Sequence, residues 1–130
     1  MKNSLVVQSS KLSVDETAAK LKTLLQTRNI KLFAHIDHSA AAKENGMELS
    51  DEQVLIFGDP KVGTHLMQED PAIGFELPLR MLIWNEDGTK VAYREPLAYL
   101  EEFNINRNRA IIEKMSVLMD TLSKTITEVD

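Results

Sequence analysis

The 130-residue chain contains no cysteine, which excludes a disulfide framework, a thiolate nucleophile and a cysteine-bound zinc ion. Aromatic residues make up only 5% of it, too few to favour a sugar-stacking groove. No apolar run approaches the roughly 20 residues of a membrane-spanning helix. The first ten residues also lack the apolar core of a secretory signal. We therefore expect a soluble, cytoplasmic protein.

The sequence also has fewer basic than acidic residues. Asp and Glu number 20 against 15 Lys and Arg, which gives a net charge of −5. A protein that binds duplex nucleic acid needs a broad basic surface, and this balance does not provide one. The length and the 43% apolar content are typical of one globular domain. The expectation is a single domain over residues 1–130, with no nucleic-acid or membrane partner.

Local patterns predict a mixture of strands and helices. Ser13-Val14-Asp15-Glu16 fits a capping box, in which the side chains of Ser13 and Glu16 each accept the backbone amide of the other. Residues 53–57 are apolar on both faces, as in an interior strand, and Glu86-Asp87-Gly88 predicts a hairpin turn. Further strands are expected near residues 5–11, 30–38, 79–84 and 89–94, and short helices near 40–45, 65–69 and 96–103.

Residues 106–128 carry the longest helical pattern in the sequence. About three heptads are too few to specify a coiled coil. The apolar stripe either covers the chain's own sheet or packs against a second copy, so a homodimer is one open interpretation. The stripe consists of Ile111, Met115, Leu118, Leu122 and Ile126, broadened by Ile112 and Met119.

The segment after the interior strand has the spacing of a phosphate-binding loop but not its chemistry. Gly58 and Gly63 enclose four residues between a strand and a helix. Thr64 and His65 stand where the motif requires Lys followed by Ser or Thr, and Pro60 lacks an amide hydrogen. A nucleotide site of that type is therefore excluded.

Two interpretations of this loop stay open. It is either a tight structural turn or a looser anion site, in which Lys61 and the amides of Gly63 and Thr64 hold a carboxylate. Met67, just beyond it, fits either ordinary core packing or the wall of an apolar pocket.

His38 ends a predicted strand whose residues alternate between two faces. It is either a hydrogen-bonded histidine at the edge of the core or a general base with a pKa near neutrality. Asp37 points the opposite way in a regular strand and is a poor partner for it, while Ser39 is expected to cap the next helix. One face carries Leu32, Ala34, Ile36 and His38, and the other, expected to be exposed, carries Phe33, His35 and Asp37.

Neither a metal nor a hydrolytic site is indicated. The three histidines, His35, His38 and His65, show no helical ligand spacing, and the first two diverge on a strand. No serine lies in a G-x-S-x-G turn. We expect no metal and no cofactor.

Several segments resemble the bacterial domain-of-unknown-function family numbered 302. They are residues 57–67 (FGDPKVGTHLM), followed by Pro71, residues 77–79 (LPL) and Trp84, and the earlier residues 13–17 and 33–42. The likeness covers about residues 5–103 and leaves the 106–128 helix as an addition to the family core. The family's recurring positions fall on His38, Gly58, Pro60, Gly63, Thr64, Met67, Pro71 and Pro78.

The resemblance implies a fold rather than an activity. That fold is α+β, a two-layer sandwich with helices packed on one mostly antiparallel sheet, often found as a dimer. In this chain it would carry an added long C-terminal amphipathic helix.

The favoured hypothesis is a domain that binds a small anionic or carboxylate ligand, or a partner protein. The cleft would lie where the end of the His38 strand meets the loop at residues 58–67. One alternative is an acid–base enzyme with His38 as general base, and another is a structural or regulatory homodimer formed through the C-terminal helix. The residues expected to bind the ligand are His38, Lys61, Gly63, Thr64 and Met67.

Overall fold

A computed structural model describes residues 3–128 as one five-stranded sheet and five α-helices, which confirms the predicted α+β class and the long C-terminal helix. The strands are β1 (Leu5–Ser10), β2 (Lys31–Asp37), β3 (Glu52–Gly58), β4 (Leu79–Asn85) and β5 (Thr89–Arg94). The helices are α1 (Val14–Thr27), α2 (His38–Glu44), α3 (Pro60–Glu69), α4 (Tyr99–Glu102) and α5 (Arg109–Thr127). Short 3₁₀ turns cover Pro71–Phe75 and Pro96–Ala98.

The sheet is antiparallel throughout, with strand order β1-β5-β4-β3-β2. Strands β2 to β5 therefore form a meander, and β1 joins it at the outer edge of β5. One face packs against α1 and α5 and forms the core, where Leu55, Phe57, Met81 and Ile83 are fully buried. The other face carries apolar side chains that stay exposed, namely Leu5, Val7 and Ile36.

Helix α1 begins at the predicted capping box. The Glu16 amide donates to the Ser13 hydroxyl at 3.0 Å, and the Ser13 amide donates to the Glu16 carboxylate at 3.1 Å. A cap of this kind stabilises a helix by about 1 kcal/mol. The helix then buries its apolar stripe, including Leu21 and Leu25, against the sheet and α5.

The apolar stripe of α5 covers the chain's own core. Ile112, Met119, Leu122 and Ile126 are fully or almost fully buried and belong to the same cluster as the α1 side chains. Most of the stripe is therefore used within the chain, while Ile111 and Leu118 stay half-buried. A homodimer formed through this helix stays a prediction.

A β-bulge at Phe33 makes the predicted alternation of β2 wrong. Leu32 pairs with Phe57 and His35 pairs with Leu55, and both partners point into the core. Because opposed residues of antiparallel strands share a face, Leu32 and His35 lie on the same, helix-covered side. In a regular strand, residues three positions apart point to opposite faces. The extra residue of the bulge, Phe33, is what places Leu32 and His35 on one face.

The start of α5 is fixed by two carboxylates at the end of α3. Glu69 accepts hydrogen bonds from three consecutive backbone amides, those of residues 106–108, and from the side-chain amide of Asn108. Asp70 accepts the backbone amide of Asn104 at 2.9 Å. Partial desolvation of Glu69 opposes its ionisation, but the hydrogen bonds outweigh it and lower the pKa of this carboxyl.

We expect the substitution Glu69→Gln to lower the urea midpoint of unfolding at neutral pH, because a neutral amide accepts backbone N–H groups more weakly than a carboxylate. The folded-state pKa lies below the ordinary 4.5, so this stabilisation is complete above about pH 4.5 and is lost as the pH falls through the folded value. Urea unfolding of both proteins, from neutral pH to about pH 3, measures the difference.

The matched control is Glu113→Gln, at an exposed position on α5, which should leave the midpoint unchanged. A difference between Glu69→Gln and the parent that stays constant down to acid pH would contradict the role assigned to this carboxylate.

Candidate functional site

The segment expected to be a loop is largely helical, because α3 begins at Pro60 rather than near His65. Asp59 caps the helix by accepting the Lys61 amide at 2.9 Å, and proline occupies the first helical position, where its missing N–H costs nothing. The prediction that this helix starts near residue 65 was therefore wrong.

This helix engages one of the amides that the anion-site hypothesis requires. The Gly63 amide donates to the Asp59 carbonyl at 3.0 Å, and the Thr64 hydroxyl donates to the Pro60 carbonyl at 2.7 Å. The Lys61 side chain is exposed. The Gly63 amide is therefore not free to bind an anion.

His38 and the Gly58–Met67 segment lie at opposite ends of β2. Lys31, the first residue of β2, pairs with Gly58, and Asp37, the last, pairs with Gln53. Six residue steps along a strand span about 20 Å. The single cleft expected to join His38 to Thr64 does not form.

Around His38 the chain turns directly from β2 into α2, so this histidine opens a helix instead of completing a strand face. Asp37, not Ser39, caps that helix by accepting the Ala40 amide at 2.9 Å. Hydrogen bonds from the Ser39 hydroxyl and the Ala40 amide lower the pKa of Asp37. His38 is exposed and has no hydrogen-bond partner within residues 3–128, so no group orients it as a general base.

His35, by contrast, belongs to a hydrogen-bonded chain that sequence reasoning missed. Gln53 is buried, and its amide nitrogen donates to Asp15 at 2.7 Å while its oxygen lies 2.7 Å from Nε2 of His35. With the amide in this orientation, His35 Nε2 carries the hydrogen and is not a base. These hydrogen bonds connect β2, β3 and α1. Only the bulge at Phe33 brings His35 to this face.

We expect the substitution Gln53→Met to reduce the free energy of unfolding by about 1–2 kcal/mol, because two side-chain hydrogen bonds of about 0.5–1.5 kcal/mol each are lost and a similar volume is kept. Urea unfolding measures the change. Gln26→Met, at an exposed site on α1, is the matched control and should have little effect. Equal stability of the two variants would show that the Gln53 bridge contributes nothing.

A cavity of about 330 Å³ opens on the Gly58 side of the sheet, between α3, α5 and the ends of β2, β3 and β4. Of the residues predicted to bind a ligand, Gly63 and Met67 line it, whereas His38, Lys61 and Thr64 do not. The remaining wall is almost entirely apolar. It comprises Ile30, Phe33, Gly58, Pro60, Val62, Leu77, Pro78, Leu79, Ile111, Met115 and Leu118, together with the charged Asp59 and Lys114.

Charge is confined to a few groups around this cavity. Asp59 and Lys114 are exposed residues, and the Asp59 carboxylate already accepts the Lys61 amide. A third charge lies beside the wall, because the Lys31 ammonium sits 4.8 Å from the centre of the Phe33 ring. The arrangement is an apolar chamber with two cationic groups close to it.

Phe33 and Lys114 are two of the lining residues that sequence reasoning did not assign to a site. The bulge frees Phe33 from the β2 ladder and makes it part of the wall. The sequence spacing could have indicated Lys114 as a lining residue. Lys114 lies three residues after Ile111 and four before Leu118, on the same side of α5.

Within residues 3–128 no group of three or more His, Asp or Glu side chains is arranged to hold a metal ion. In the same part of the chain, no helix is long and apolar enough to cross a bilayer.

Two similar proteins are ion channels of which this chain matches only a part. The fluoride-specific ion channel FluC 1 of Brucella suis biovar 1 (strain 1330) is 39% identical over 87 residues, which are 67% of this chain and 34% of that protein. FluC 1 of Brucella abortus biovar 1 (strain 9-941) shows the same identity over 32% of its length. The chain thus spans about a third of these relatives.

A solved structure shares the whole fold. The uncharacterized conserved protein DUF302 from Bacillus stearothermophilus superposes with a TM-score of 0.82 at 15% identity, over 96% of this chain and 98% of that chain. The family model "Domain of unknown function DUF302" matches residues 5–128. The match runs past Phe103 and includes α5, so the C-terminal helix is part of the family domain and not an addition to it. The chain belongs to the DUF302 family.

Proposed function

We propose that this domain binds a small amphipathic carboxylate, whose apolar body occupies the cavity between α3 and α5 and whose acid group meets Lys114. The observation that carries the proposal is the wall itself, an apolar chamber of about 330 Å³ with very few charged residues around it. Small-molecule sites in proteins have this character, mostly apolar with a few polar groups that fix orientation.

The shape of the chamber depends on small and flexible residues. A Cβ at Gly63 would lie 3.8 Å from Met67 Cε and 3.8 Å from Leu77 Cδ1, so the missing side chain keeps space open between these two residues. Met67 and Met115 both lie in the wall, and thioether side chains adapt to irregular ligands. The site therefore favours an apolar ligand body over a hydrated ion.

The choice of a carboxylate follows from the charges near the cavity. Lys114 lines it and Lys31 stacks on the lining residue Phe33, so two cationic groups outnumber Asp59, the one acidic lining residue among residues 3–128. Fluoride is the ion in the name of the Brucella relatives, but it is small and strongly hydrated. An apolar wall offers no polar groups to replace the water that fluoride would lose on binding. We infer that in such channels the matching segment is an accessory binding domain.

Methyl NMR of methionine provides the test, because Met67 and Met115 line the cavity while Met47 is exposed elsewhere. We expect sodium octanoate to shift the Met67 and Met115 signals saturably and to leave Met47 unchanged. Octanol should bind more weakly than octanoate, and sodium fluoride should produce no saturable shift.

Two variants separate the apolar and charged parts of the site. Gly63→Leu should abolish octanoate binding by filling the chamber, whereas its matched control Gly63→Ala should fold and still bind. Lys114→Gln should weaken octanoate about fivefold, as expected for an exposed ion pair of up to roughly 1 kcal/mol, without changing octanol. Fluoride-dependent shifts, or octanoate binding that survives Gly63→Leu, would refute the proposal.

A further inference from the structure

A second cavity lies where β4 and β5 separate. The ladder between these strands runs from Asn85–Thr89 to Leu82–Ala92 and ends there, although β4 begins at Leu79 and β5 continues to Arg94. Beyond that point β4 stays paired with β3, and β5 stays paired with β1. The fork contains a cavity of about 430 Å³, which shares only Leu79 with the chamber described above.

Two arginines line this fork cavity, and their situations differ. Arg94 is held in place, because its guanidinium contacts Glu76 at 3.0 Å and donates to the Ser4 hydroxyl. Arg80 is exposed and forms no hydrogen bond or ion pair with any other residue between 3 and 128. Glu76 therefore pairs with Arg94, whereas Arg80 has no ion-pair partner in the described part of the chain, and the charge of Glu102 also acts on Tyr99.

Tyr99 adds a hydroxyl that has no hydrogen-bond partner among residues 3–128. Its side chain is only 3% exposed, yet its hydroxyl makes no hydrogen bond within the described chain. Every fully enclosed side-chain polar atom in that part of the chain has a partner, so this hydroxyl is not fully enclosed, and Tyr99 lines the cavity. Burial, reinforced by the Glu76 charge, raises the pKa of Tyr99 to about 12, so the phenol keeps its proton at neutral pH.

The rim of the fork cavity supplies an aromatic surface. Phe75 lines it and is 87% exposed, more than any other large apolar side chain among residues 3–128. A phenylalanine in water offers its ring for stacking, while Leu79 and Met119 form apolar wall.

We propose that the fork cavity binds the carboxylate of a small aromatic acid, with Arg80 and the Tyr99 hydroxyl on the acid group and Phe75 on the aromatic ring. A guanidinium donates two parallel hydrogen bonds to a carboxylate, which gives both affinity and orientation. Arg94 is assigned no contact with the ligand, because its guanidinium already binds Glu76 and the Ser4 hydroxyl.

Titration with sodium benzoate, followed by amide NMR, tests the assignment. We expect saturable shifts of the backbone amides of residues 75–77, 79, 80 and 99, since Pro78 has no amide hydrogen. Sodium acetate, which has no ring, should bind several-fold more weakly at the same residues. Phe75→Ala should remove most of this difference between benzoate and acetate without abolishing acetate binding.

Substitutions at the acid-binding groups give the sharper result. Arg80→Gln should weaken benzoate about tenfold, and Arg80→Lys should weaken it less because the charge remains. Tyr99→Phe, which keeps the buried ring, should weaken it by a smaller factor. Arg28→Gln, at an exposed arginine outside the cavity, is the control for general charge effects.

Benzoate binding in the fork cavity is expected to be independent of octanoate binding in the first cavity. Lys114→Gln should leave benzoate binding intact, and Arg80→Gln should leave octanoate binding intact. The inference is overturned if benzoate gives no saturable shifts up to its solubility limit, if its affinity survives Arg80→Gln, or if Arg28→Gln weakens it equally.

Discussion

The hydrogen bonds that Glu69 and Asp70 make to the backbone of residues 104–108 determine where α5 lies. Consecutive amides that point at one carboxylate leave the chain little freedom just before the helix begins. From that point α5 crosses the sheet and closes the core with Ile112, Met119, Leu122 and Ile126. It also contributes Lys114 and Met115 to one cavity and Met119 to the other. Both proposed sites therefore depend on an anchor that lies outside them.

Local features of the fold were predictable because they depend on neighbouring residues. The capping box at Ser13 and Glu16 requires only a spacing of three, and the hairpin around Asp87 and Gly88 requires residues that tolerate positive φ, found at 53° and 103°. The bulge at Phe33 was not predictable in this way. It results from matching β2 to β3 at both ends, with Lys31 opposite Gly58 and Asp37 opposite Gln53, and that register is a property of two strands.

The sites were less accessible to sequence reasoning than the elements that carry them. Gly63 and Met67 were found because they lie close together beside a strand end. His38 and Thr64 were wrongly assigned to one cleft, because the segments that carry them lie at opposite ends of β2. No sequence pattern predicts that Arg80 and Tyr99 line one cavity, because that depends on where β4 and β5 stop pairing.

The strand order also bears on how the chain reaches this fold. Strands β2 to β5 each pair with their neighbour in sequence, whereas Leu5 of β1 must find Arg94 of β5. Closing so long a loop costs more chain entropy than forming a hairpin, which favours assembly of the meander before β1 is added. Until β1 arrives, the outer edge of β5 offers unpaired backbone groups. The first strand of one chain fits that edge on another equally well, so the pairing of β1 within its own chain also closes the edge at which two chains would exchange strands.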